Sequence, residues 1–343
     1  MSQEHVLLLG GTRFIGAHLV QSLREAGYEP TIFHRGKSPW PWGDPPVEIL
    51  GDRKEPGELV KLASLRDWAA VVDLTAFTAP DSAHAIAAFN EHTEVFVHIS
   101  TGSVYHVLQD FHNPFSEEDA LLFADPLPLV EEPADSPPMA YGLGKRACEE
   151  VLFNAYEESG FPVTVIRPPI VSGPLDYTLR DYAHILRVRD GGPLLVPAPS
   201  GSFRHVAVQD LARLIVQAID LWDASIGEAF NAGGASILTL AEYYQLLCRL
   251  LDLPAPTIVP VAHGTLMEQI GPGSQPFGYD RNAIPDIVKA QSLLDWQPRR
   301  AEEYLPEVIA YFEHDYTGKQ PESYTEYREK ELAFARTLQP AAA

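Results

Sequence analysis

Residues 5–9, His-Val-Leu-Leu-Leu, form a short apolar run that stops at Gly10-Gly11. Apolar residues then recur at Ile15, Leu19, Leu23 and Ala26 before Gly27. The run predicts a buried strand, and the spacing that follows predicts an amphipathic helix closed by a glycine cap. The alternation continues, with strands predicted at 31–33, 47–50, 70–74 and 95–100 and helices around 56–65 and 81–90. Alternating strands and helices predict a parallel, doubly wound α/β sheet, whose ligands lie outside the carboxyl ends of the strands.

Past residue 160 the pattern changes. Val163-Thr164-Val165-Ile166 predicts another strand, residues 208–221 a strongly amphipathic helix, and Ala229-Phe230-Asn231 a short strand. Between and after them, proline and glycine punctuate short elements. Two loops stand out in the first half. Residues 36–46 (GKSPWPWGDPP) follow the second strand, and residues 105–138 hold six prolines and eight acids but no lysine or arginine. A loop of that length in a compact domain is a solvated insertion or a lid, and its acidity favours the solvated insertion.

Composition narrows the function classes. Asp and Glu number 47 against 25 Lys and Arg, a formal charge of −22. Such a field repels a nucleic-acid backbone and an anionic membrane. No apolar run is long enough to span a bilayer, and residues 1–5 lack the start of a secretory signal. The two cysteines, Cys148 and Cys248, read as free thiols of a reducing compartment. A cytoplasmic location is therefore expected. The twelve histidines are scattered, without ligand spacing, so no metal site is expected.

Three motifs carry chemistry. Gly10-Gly11-Thr12-Arg13-Phe14-Ile15-Gly16 links the first strand to the first helix. Glycines there permit a tight turn, close approach of a pyrophosphate and helix–strand packing, with the anion on the helix N-terminus. Tyr141 and Lys145 are four residues apart, on one helix face. The lysine can lower the tyrosine pKa, giving an acid/base near neutral pH. Ile99-Ser100-Thr101-Gly102-Ser103-Val104-Tyr105 closes the fifth strand, where a hydroxyl would face the ligand crevice.

In this order the motifs resemble the extended short-chain dehydrogenase/reductases, in their NAD-dependent epimerase/dehydratase branch. The resemblance runs from about residue 5 to 315 and includes Arg167-Pro168-Pro169, Val206 to Ala212, Phe230-Asn231-Ala232-Gly233 and Leu294 to Pro298. It implies a Rossmann doubly wound parallel sheet with a smaller mixed α/β substrate domain. The cofactor domain would comprise 1–167 and 206–232, the substrate domain 168–205 and 233–317, and 318–343 would form a peripheral helix and tail. It also implies Tyr141 as acid/base, Lys145 as its modulator and Thr101 as hydrogen-bond partner of the reacting oxygen. Gly10 to Gly16, Tyr141 and Lys145 would contact the cofactor, with Asp52 at the adenine.

The chain departs from the family pattern at Arg13, where a third glycine is usual, and at His34, where an acid would bond the ribose 2′-hydroxyl. With Arg13 and Arg35 nearby, a 2′-phosphate is favoured, and so NADP over NAD. Ile170 and Phe203 replace residues that hold a nucleotide diphosphate in the nucleotide-sugar relatives. The expected function is an NAD(P)-dependent oxidoreductase that transfers hydride at a secondary alcohol or ketone of a small polar, sugar-like metabolite. The alternatives are a sugar or nucleotide-sugar epimerase with retained cofactor, and a non-catalytic NAD(P)- or RNA-binding relative. The expected partner is a small-molecule substrate, with neither nucleic acid nor membrane; a homodimer follows by family analogy.

Overall fold

The computed structural model describes residues 4–55, 57–109, 112–124, 126–271 and 281–338. The first half of the chain forms β1 (His5–Leu9), α1 (Phe14–Glu25), β2 (Glu29–His34), β3 (Val47–Leu50), α2 (Glu58–Ala63), β4 (Trp68–Asp73), α3 (Ala79–Phe89) and β5 (Thr93–Ile99). Then come the short α4 (Ser103–His106), the long α5 (Pro137–Ser159) and β6 (Val163–Arg167). Local chemistry sets several boundaries. Thr78 and Asp81 form a capping box on α3, and α5 starts at a proline pair and stops at Gly160 in the left-handed region. β4 begins earlier than its aliphatic pattern predicts, because the Trp68 ring is buried and its Nε1 donates to the Leu62 carbonyl at 3.1 Å.

The strands form one seven-stranded sheet in the order Ala229–Asn231, β6, β5, β4, β1, β2, β3, with every neighbouring pair parallel. The order reverses between β1 and β4, the switch point at which doubly wound sheets bind ligands. Leu9 of β1 pairs with Asp73 of β4, which pairs with His98 of β5, so the carboxyl ends of these strands lie level. Helices bury their apolar faces on the sheet; Leu7, Val71, Phe89, Phe96, Leu152 and Val163 belong to one core cluster. This is the predicted Rossmann-type architecture.

The chain divides into two compact units. The first is Met1–Val171, Val208–Gly233 and Pro285–Pro298, and the second is Ser172–Ala207, Gly234–Ile284 and Arg299–Ala343. The expected substrate domain ran unbroken from 233 to 317; the contacts assign 285–298 to the first unit instead. Buried Trp296 donates its Nε1 to the Asp210 carbonyl at 2.9 Å, and Lys289 pairs with Glu228 at 2.6 Å. The second unit is mixed α/β: Leu194–Pro197 pairs in parallel with Ile258–Val261, Ser202–Phe203 pairs antiparallel with Leu238–Thr239, and helices such as Arg180–Arg189 and Leu240–Leu250 accompany them.

Two further expectations change. The helix Arg328–Leu338 is not peripheral: Arg328, Glu331 and Ala335 on it are buried. Nor is 105–138 a wholly solvated insertion. Phe115, Glu117 and Ala120 are buried, and Leu108 bridges Leu129. Arg146 of α5 donates to the carbonyls of Val104, Ala120 and Leu121. The carbonyls of buried Val104 and Ala120 need a donor, and one arginine with its five N–H groups supplies it. Asp110, Phe111 and Asp125 lie outside the described residues.

Candidate active site

The loop after β1 has the shape its glycines allow. Gly10 and Gly11 have φ of 102° and 110°, conformations that side-chain-bearing residues avoid. A Cβ on Gly16 would lie 2.3 Å from Gly11 Cα, so that glycine lets α1 start directly against the turn. Arg13 at the N-cap gives no side-chain cap, and no acid lies in the first turn of α1. The positive end of the helix dipole therefore faces no carboxylate of its own first turn, which fits a dinucleotide diphosphate. Thr12, Phe14 and Ile15 complete the turn, with Phe14 buried and Arg13 exposed.

At the ends of β2 and β3, Arg35 is exposed and faces Asp52, its guanidinium 4.0 Å from the carboxylate. His34 accepts from the Gly36 amide at 3.2 Å. The Trp-Pro-Trp loop folds back onto α1, where Trp42 meets His18 edge-on at 5.2 Å and Trp40 at 5.7 Å.

Helix α5 brings the tyrosine–lysine pair to the end of β5. Lys145 is buried, and its Nζ donates to the Ile99 carbonyl at 2.7 Å, two residues before Thr101. Burial pushes its ammonium down, against the opposing pull of Asp73. Gly142 lets the helix approach α4, since a Cβ there would lie 2.8 Å from the Ser103 carbonyl oxygen. Tyr141 remains 40% exposed at the start of the helix. The Thr101 hydroxyl accepts from the Ser103 amide at 3.2 Å and lies 3.3 Å from the Ser103 hydroxyl.

Several residues near this point went unmarked in the sequence reading. Arg53, just after β3, pairs with buried Asp73 at 2.6 Å and donates to the Asp81 carbonyl at 2.8 Å. Asp73 accepts from the Thr75 and Ala76 amides, and Asp81 from those of Phe77 and Thr78. The loop after β4 is therefore held by two carboxylates bridged by one arginine. The available signal was Asp73 itself, an acid closing an aliphatic strand.

Below Thr101, Glu149 of α5 accepts from the Ser100 hydroxyl and faces Arg167, whose Nη2 lies 2.6 Å from its Oε2. Arg167 also donates to the Tyr105 hydroxyl at 2.8 Å and the Glu117 carbonyl at 2.8 Å. Tyr105 in turn donates to Asn231 at 2.7 Å. Burial and nearby acids push the Tyr105 hydroxyl up, so it stays protonated and donates. The spacing of Glu149 four residues after Lys145 was the readable sign that it shares the inward face of α5. No group of three or more His, Cys, Asp or Glu suited to a metal occurs among the described residues.

Comparison with known proteins agrees with this geometry. Residues 6–233 match the model of the NAD dependent epimerase/dehydratase family. The chain is 27% identical over 312 residues to the chloroplast stem-loop binding protein of 41 kDa b from Arabidopsis thaliana, covering 87% of this chain and 76% of that protein. It is 25% identical over 341 residues to a UDP-N-acetyl-alpha-D-glucosaminuronate decarboxylase from Bacillus cytotoxicus, covering 90% and 98%. Among solved structures, a UDP-glucuronic acid 4-epimerase from Bacillus cereus in complex with NAD superposes with a TM-score of 0.67 at 20% identity, covering 90% and 98%. That likeness is one of fold. The family match spans the glycine loop, the Tyr141–Lys145 helix and Asn231, and the chain belongs to the NAD dependent epimerase/dehydratase family.

Proposed function

We propose that the protein is an NAD-dependent enzyme that interconverts a secondary alcohol and a ketone on a small, sugar-like metabolite. The observation that carries this reading is the bond from Lys145 to the Ile99 carbonyl. It brings the tyrosine–lysine turn of α5 to the strand end that bears Thr101. In this reading the hydroxyl of the partly exposed Tyr141 passes a proton to or from the substrate oxygen. Lys145 lends positive charge that favours the tyrosinate, and Thr101 hydrogen-bonds the same oxygen. Bound NAD supplies the hydride acceptor or donor. The residues of the Gly10–Gly16 loop hold its diphosphate. Replacing Tyr141 with Phe should lower turnover by about 10²–10⁴-fold while NADH binding, followed by fluorescence, stays at the wild-type level. Retained turnover would overturn the assignment.

NAD rather than NADP is the cofactor in this reading, against the preference drawn from Arg13 and Arg35. Arg35 already faces Asp52, so a 2′-phosphate beside it would meet a carboxylate. The Bacillus cereus neighbour, described in complex with NAD, supports the same choice. Titration calorimetry should show tighter binding of NAD than of NADP.

A second reading is an epimerase that oxidises and re-reduces one carbon with retained NAD. It is favoured by relatives whose names specify UDP-sugars. Incubation with UDP-glucuronic acid separates the two: net NADH absorbance marks the oxidoreductase, and epimerised sugar without it marks the epimerase. The stem-loop binding relative raises a nucleic-acid reading that the charge of −22 opposes. A stem-loop RNA should show no gel shift even at low salt.

A further inference from the structure

Phe77 is a large apolar side chain left 50% exposed, on a backbone that is closely held. Its amide donates to Asp81 Oδ2 at 3.1 Å, and the amides on either side of it donate to Asp73 and Asp81 at 3.0 Å each. Arg53 bridges the two aspartates. From the other side, α5 meets this loop at Gly144, where a Cβ would lie 2.4 Å from the Phe77 carbonyl oxygen. The ring so placed has its centroid 4.9 Å from Lys145 Nζ and 6.3 Å from the Tyr141 ring.

We propose that Phe77 is a positioning residue for Lys145, its ring holding the Lys145 ammonium at the end of β5 beside Tyr141, with Arg53 bracing the loop that presents it. An aromatic face attracts a cation most where water is excluded, and Lys145 is 2% exposed. The ring offsets part of the burial that pushes this ammonium down, and the retained charge favours an ionised tyrosine nearby. The other titratable groups around Lys145 are Asp73 of β4, His98 of β5, Arg53, and Cys148 and Glu149 of α5. All of them are unchanged in a Phe77 variant.

This inference rests on the tyrosine–lysine reading, but its test does not need turnover. Fluorotyrosine is placed at position 141 of the full chain and its ionisation followed by ¹⁹F NMR across pH. Phe77→Leu should raise the midpoint by about half a pH unit, and Phe77→Trp should leave it within about 0.2 unit of wild type. In a Lys145→Met background, Phe77→Leu should add no shift, because the effect passes through the ammonium. Thermal melts accompany each titration, and Phe77→Met repeats the test with an unbranched side chain if Phe77→Leu melts early. Equal midpoints for wild type, Leu and Trp would overturn the proposal, as would a Leu shift that persists without Lys145. Failure of the acid/base reading would appear separately, as turnover retained in Tyr141→Phe.

Discussion

Arg167 in the first unit and Arg187 in the second are both buried and both face a buried glutamate. Glu149, the partner of Arg167, also holds Ser100 at the end of β5, while the other end of the guanidinium reaches Tyr105 and, through it, Asn231. Three adjacent strand ends are thereby fixed beneath Thr101. Burial alone would lower the Arg167 guanidinium, but Glu149 and Tyr105 raise it, so the guanidinium stays charged. Arg187 meets Glu331 at 2.8 Å, Glu331 also meets Arg328 at 3.1 Å, and Arg328 grips Asp190 with two bonds of 2.7 Å. Those four residues tie the helices Arg180–Arg189 and Arg328–Leu338 together. The same ion-pair chemistry thus aligns a candidate catalytic strand end in one unit and fastens a terminal helix in the other. A buried pair is worth little net stability, whereas breaking one leaves an uncompensated charge.

Removing each glutamate in turn separates the two centres most strongly. Glu149→Ala should cost about 3–5 kcal/mol in urea unfolding and lower turnover per folded molecule as well, because Ser100 loses its partner. Glu331→Ala should cost about 3 kcal/mol, since Arg328 keeps Asp190, and turnover per folded molecule should match wild type. A turnover loss in Glu331→Ala at full folding would erase the functional difference between the two centres.

The second unit also holds a buried carboxyl, Asp181, that makes its stability depend on pH. Burial pushes its carboxyl up to about 7, against the hydrogen bond from Tyr243 at 2.6 Å, with Asp176 adding to the rise. The folded protein holds a proton here that the unfolded chain releases near pH 4, so this group's contribution falls as pH rises between about 4 and 7. From pH 5 to 7 the fall is roughly 2 kcal/mol. Asp181→Asn should remove that part of the slope, as read from urea midpoints at both pH values; an unchanged slope would show that Asp181 is ionised in the fold. The smallest expected effect lies in the first unit. Gly144→Ala should cost about 1–2 kcal/mol, because its Cβ would overlap the Phe77 carbonyl, and it should reduce turnover by displacing that loop. Thermal melts and initial rates check both parts.

Much of the first unit was legible because its signals are local. The apolar patterns predicted β1 to β6 and the helices α1, α2 and α3, and the glycines of the 10–16 loop announced a turn that few other residues can make. Tyr141 and Lys145 are one helical turn apart, so their shared face followed from 3.6-residue geometry. The preference for NADP failed to gain support because its reason was not local: Arg35 was visible, but its approach to Asp52 depends on how β2 and β3 sit side by side.

Other features could not be read along the chain. Arg187 and Glu331 are 144 residues apart, and Tyr105 and Asn231 are 126 apart. Nothing in the intervening spacing encodes which charge will neutralise which once water is excluded. The acidic 105–138 segment looked solvated because composition reports average polarity, whereas burial of Phe115, Glu117 and Ala120 depends on Arg146 and Arg167 arriving from α5 and β6. Backbone periodicity and glycine conformational freedom are properties of neighbouring residues, and they carried the fold class, the glycine-rich turn and the tyrosine–lysine turn. The pairing of buried charges, the seating of Phe77 against Lys145 and the anchoring of the last helix arise from desolvation of groups distant in sequence, and they exist only once the chain has folded.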